Sequence, residues 1–204
     1  MARPDIREEL SREWSALAAS LASSVPADPR ALFAGPPRPT LLFAELEDVR
    51  RSWQDLRRSP GLARDAERLI TSQWTLRDLL SHVASWSTEF RSEAEATLAG
   101  GTVDYEIYCE PRVGPTEWNH ARVAERKSQT LDEIFDEIDS ATRRLQELVL
   151  TAPPERLLAA EKFAPVIGPE RRPMMRSLAE LAGGRCAHDH LHLGRIAAWR
   201  ASLR

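Results

Sequence analysis

Apolar residues recur at steps of three and four along most of the chain, and runs that alternate apolar with polar residues are nearly absent. This pattern predicts an all-α protein. In residues 4–24, Ile6, Leu10, Trp14, Leu17 and Leu21 fall on one stripe, with Pro4 suited to a first turn. Residues 25–39 then hold five prolines, which predicts an extended connector and makes the first helix an appendage. A second helix is expected from Thr40, as N-cap, through Leu42, Leu46, Val49, Trp53 and Leu56 to a stop at Ser59-Pro60-Gly61.

A third helix is expected to begin after Thr75, with Asp78 where a capping box places its acid. Leu76, Leu79, Leu80, Val83, Trp86 and Phe90 give it a wide apolar arc that ends at Gly100-Gly101. A fourth runs from about 118 to 150 on Leu131, Ile134, Phe135, Ile138, Ala141, Leu145 and Leu148, and SQTLDE carries a capping-box pattern that marks a break or restart near Thr130. Pro165, Gly168, Pro169 and Pro173 make a long connection to the last helix, at about 174–203. Four long amphipathic helices with two long crossings describe a four-helix bundle over residues 40–204, preceded by a helix and proline-rich linker over 1–39.

Composition narrows the function without naming it. The 204 residues, 42% hydrophobic, fit one domain with an extension. The formal charge of -3 comes from 28 basic and 31 acidic residues, with the arginines scattered among acids, so no nucleic-acid partner is expected. Two cysteines, Cys109 and Cys186, match neither a disulfide scaffold nor a zinc ribbon and read as reduced thiols. No stretch has the length of a membrane span, and MARPDIREEL lacks the features of a signal peptide. The expectation is a soluble, cytoplasmic protein with no membrane partner.

The chemistry concentrates in HDHLHLGRI, residues 188–196, which holds three of the five histidines. In the last helix the apolar stripe through Leu178 and Leu181, continued by threes and fours, lands on Arg185, His188 and His192 before it reaches Ile196 and Trp199. His188 and His192 are about 40° apart and one turn up, whereas His190 points roughly 160° to 200° away. An isolated HxxxH pair is more often ordinary helix chemistry than a chelate. His82 changes that balance, because it lies beside the buried arc of the third helix between Leu79 and Trp86 and can face the pair. Three neutral imidazoles from two helices suit a divalent ion and leave coordination positions open.

Other residues have two readings. Asp189 and Asp78 serve either to orient imidazoles or as surface and capping residues. Glu89 is a solvated helix acid unless it reaches the pocket, and His120 lies outside the core stripe, near the mouth of a site at most. The six tryptophans read as core or helix-end anchors, with Trp86 the one placed to wall a pocket. Cys109 has no activating partner in the sequence, and Cys186 reads as a small packing residue.

WTLRDLLSHVASW, WNHARVAERKSQTLDEIFDEID and AHDHLHLGRI resemble, in order and spacing, the three signature regions of the DinB/YfiT-like superfamily, which includes mycothiol-dependent maleylpyruvate isomerase and thiol S-transferases. The resemblance spans about residues 40–204. It implies an up-down-down-up four-helix bundle and a divalent metal held by His82, His188 and His192. Leu191 and Arg195 replace a histidine and a glutamine common in relatives.

The resulting expectation is a metal-dependent enzyme, with zinc or nickel, acting on a small-molecule substrate. It would belong to the thiol S-transferase class, using a low-molecular-weight thiol, or to the hydrolase class. Glu89, Asp189 and His120 are the candidates for acid/base work. The alternative is a non-catalytic bundle, a homodimer in one form, whose metal site is structural or sequesters a ligand.

Overall fold

The computed structural model describes residues 39–99, 115–158, 161–167 and 172–203. The helix expected within residues 4–24 and its linker up to residue 38 lie outside them, as does Cys109. The first described helix, α1 (Pro39–Arg57), begins at a proline, which suits an opening turn where its missing N–H is not needed. Thr40 is therefore inside the helix and not its N-cap. The stop is as expected: Gly61 takes a left-handed φ of 80°, a conformation that side-chain-bearing residues adopt at a penalty.

A short α2 (Leu62–Asp65) leads to α3 (Leu76–Ala99). Thr75 and Asp78 form reciprocal hydrogen bonds at the start of α3: the Asp78 N–H donates to Thr75 Oγ1 (3.1 Å) and the Thr75 N–H donates to Asp78 Oδ2 (3.0 Å). The region expected as one fourth helix is two, α4 (Pro115–Glu125) and α5 (Leu131–Thr151). The restart falls at Thr130, whose side chain accepts from the Glu133 N–H while the Glu133 carboxylate accepts from the Thr130 N–H. Thr130→Ala is expected to destabilise the protein by about 1 kcal/mol in urea unfolding, the usual effect of losing a helix N-cap.

A short α6 (Pro154–Leu158) follows. The connection before the last helix then contains an antiparallel hairpin, β1 (Glu161–Ile167) and β2 (Arg172–Arg176), with Glu161 opposite Arg176 and Ile167 opposite Arg172. Its register is irregular between Phe163 and Val166, where Pro165 has no N–H to give the ladder. The hairpin takes residues 174–176 from the expected last helix. That helix, α7 (Leu178–Ala201), starts instead at a Ser177/Glu180 capping box.

Side-chain pairs between helices fix the topology. Between α1 and α5, Glu47 meets Gln146, Arg50 meets Asp139, and Arg57 meets Asp132 and Asp136, so these two helices run in opposite directions. Between α3 and α5, Arg77 meets the Gln129 carbonyl, Thr88 meets Glu137 and Glu95 meets Arg144, so these run together. Trp53 bonds Asp189 and Ser59 bonds Arg200, which makes α1 and α7 parallel. His82 and Phe90 on α3 meet His188 and Gly184 on α7, which makes those two antiparallel. Helices α1, α3, α5 and α7 thus go up, down, down and up.

The bundle is all-α apart from the hairpin, and its principal contacts pair α1 and α3 each with α5 and α7. Leu46, Val49, Leu79, Leu80, Val83, Ile134, Ile138, Leu145, Leu178, Leu181 and Ile196 fill the interior. No helix among the described residues is long and apolar enough to cross a membrane.

Candidate metal centre

The Ser177 cap sets where α7 begins and hence which of its side chains face α3. About two to four turns on, the stripe that buries Leu178 and Leu181 delivers Arg185, His188 and His192 to the same seam. On α3 the arc that buries Leu79, Leu80 and Val83 delivers His82. One ring nitrogen from each of His82, His188 and His192 lies within 4.8 Å of the others. His188 Nε2 faces His82 Nε2 at 3.3 Å, and the imidazole centroids are 5.2, 5.0 and 4.5 Å apart. His190 is exposed and takes no part.

These donors fit a first-row divalent ion. Zinc–nitrogen bonds of about 2.0–2.1 Å at tetrahedral angles place two ligand nitrogens about 3.3–3.4 Å apart, which is the His82–His188 separation. The Nδ1 atoms of all three rings are buried without a hydrogen bond among the described residues, and His188 Nδ1 has Asp189 Oδ1 at 3.5 Å. Burial, and next the Arg195 charge, lower the His82 pKa to about 3. Burial pushes His188 and His192 down as well, with neighbouring imidazoles and Arg185 adding to it. The three are thus held neutral, the protonation state in which imidazole binds metal.

Aromatic rings surround the cluster. Trp74 lies 5.0 Å from His82, and His120, though exposed, stands edge-on to Trp74 at 5.7 Å. Trp86 is 6.0 Å from His188 and 5.0 Å from Trp118, and Phe90, 6.0 Å from Trp86, is 6.3 Å from His188. The Trp86 indole N–H donates to Asn119 Oδ1 (3.0 Å), and the same amide acts on His82. Trp86 therefore does stand beside the histidines. Asn119 was not singled out from the sequence, although it sits beside His120 on the face of α4 that meets α3.

The remaining candidates divide. Asp78 caps α3 through Thr75. Asp189 is fully buried, which excludes the surface reading; its Oδ2 accepts from the Trp53 indole (2.7 Å), and Arg185 forms an ion pair with its Oδ1. Glu89 is half-buried on α3. The Cys186 thiol is buried, and burial pushes its pKa up to about 12, so it supplies no thiolate near neutrality. A cavity of about 250 Å³ lies elsewhere, between α1 and α5, and Arg50, Arg57 and Arg143 on its wall are already paired with acids.

The family model for the mycothiol maleylpyruvate isomerase N-terminal domain matches residues 44–182, well over half of the chain. The chain belongs to this family. The family is a DinB-like superfamily domain, in keeping with the up-down-down-up bundle. The matched stretch contains His82 and ends six residues before His188, so the HxxxH pair rests on its own geometry. No curated protein and no solved structure matches the chain.

Proposed function

We propose that this protein is a metal-dependent enzyme that transfers a low-molecular-weight thiol to a small electrophile, with zinc or nickel held by His82, His188 and His192. The observation that carries the proposal is the convergence of three neutral imidazoles, two buried and that of His188 partly buried, from two antiparallel helices. Membership in a family named for a mycothiol-dependent isomerase supports thiol chemistry over hydrolysis. When bound, the ion supplies Lewis acidity, lowering the pKa of a thiol or water toward neutrality.

The chain's own groups do the rest. Trp74, Trp86, Trp118 and Phe90 wall the cluster and exclude water from its flank. Asp189 is engaged by Arg185 and Trp53 and is not free to act as a general base. His120, exposed at the rim against Trp74, is the better placed of the candidates to take a proton on a ring nitrogen.

Protein prepared without a histidine tag is expected to contain close to one divalent ion per chain by elemental analysis, and to consume thiol when offered a panel of electrophiles. Folded wild-type protein that takes up no metal overturns the proposal. Substrate consumed with thiol unchanged assigns the hydrolase class instead.

A further inference from the structure

Buried charge inside an apolar bundle requires a cause. Arg185 and Asp189 are 1% and 0% exposed and one turn apart on α7, with Arg185 on the stripe from Leu178 and Leu181 that calls for apolar residues and Asp189 beside it. A buried ion pair of this kind is seldom a net source of stability, since well-packed apolar residues serve as well or better. The placement of the carboxylate is more informative than the pairing. Trp53, reaching across from α1, holds Oδ2 at 2.7 Å, and Arg185 holds Oδ1. The same Oδ1 lies 3.5 Å from His188 Nδ1, while Nε2 of that ring points at His82. His188 is therefore poised between a carboxylate on one nitrogen and the histidine cluster on the other.

We infer that Asp189 is the positioning carboxylate of the metal centre, clamped by Arg185 and Trp53 so that His188 keeps its proton on Nδ1 and offers the Nε2 lone pair to the ion. This inference rests on the metal-binding reading above. A ligating histidine commonly has its second nitrogen tied to a carboxylate or carbonyl, which fixes ring tautomer and orientation. Arg185 supplies the counter-charge that lets a carboxylate stay ionised at full burial. Trp53 ties the arrangement to α1, so three of the four long helices contribute to the centre.

The test is metal affinity and coordination, read independently of activity. Cobalt(II) and zinc(II) are titrated against a chromophoric chelator into metal-free wild type, Asp189→Asn and an Arg185→Met, Asp189→Leu double variant. The cobalt absorption spectrum and the thermal unfolding of each metal-free protein are recorded alongside. Asp189→Asn leaves the Arg185 charge unpaired and is expected to lower stability; the double variant removes both charges together and is expected to stay folded. Affinity should fall about 10- to 100-fold in the folded double variant, with an altered cobalt spectrum. Wild-type affinity and spectrum in that variant overturn the inference and leave the metal reading standing. A wild type that binds neither ion overturns both.

Discussion

A chain carrying His188→Leu and His192→Leu is expected to retain no divalent ion and yet to be more stable than metal-free wild type. Both positions lie on the stripe between Leu181 and Ile196, and leucine has nearly the volume of histidine, so the packing changes little. His192 keeps a buried Nδ1 without a hydrogen bond and His188 Nδ1 has only Asp189 Oδ1 at 3.5 Å, and a buried polar atom left unbonded costs about 1–3 kcal/mol of lost solvation. Metal affinity should fall by far more than the roughly 100-fold seen on removing supporting groups, because two of the three proposed ligands are gone.

The two effects separate in thermal unfolding. At a metal concentration about 1,000 times Kd, wild type gains about 4 kcal/mol, which is roughly 8–16 °C for a domain of this size. The leucine variant gains nothing from added metal and starts from a higher baseline in chelator. Equal metal-induced shifts in the two proteins would place the ion elsewhere.

Much of this arrangement is legible in the sequence, for reasons that lie in helix geometry. Once α3 and α7 are amphipathic helices, the period of 3.6 decides which side chains face inward, and His82, His188 and His192 fall on buried faces while His190 does not. Capping boxes at Thr75 and Thr130 mark real helix starts because they satisfy backbone N–H groups locally. Thr40 misled because Pro39 serves as a first-turn residue just as well as threonine serves as a cap. The hairpin over residues 161–176 was hidden by its prolines, which read as a connection without strands.

The polar network was the least legible part. Asp189 is about 100° round the helix from His188, and nothing local says that α1 will bring Trp53 against it. A tryptophan in the middle of a buried stripe does carry one clue, since its indole N–H needs an acceptor when buried. Arg185 carries another, because the stripe itself puts a guanidinium where no water reaches, and that implies a buried anion nearby.

Acid should undo the metal-free protein in a window set by these histidines. His82 has an ordinary pKa of 6.5 and a folded-state value of about 3, depressed first by burial and then by Arg195; His188 and His192 are depressed as well. Between those two values the unfolded chain binds protons that the folded chain refuses, so stability rises with pH and is lost as pH falls below 6.5. Each histidine that stays neutral contributes a slope of about 1.4 kcal/mol per pH unit, and three together about 4. Glu137 and Asp139 are held below their ordinary carboxylate values, with burial opposing and their arginine partners prevailing, so their loss comes at lower pH. Urea unfolding in chelator at about pH 7, 6 and 5 isolates the histidine window. The His188→Leu, His192→Leu chain should retain about a third of the wild-type slope there, and a flat wild-type profile would mean that the three imidazoles are solvated.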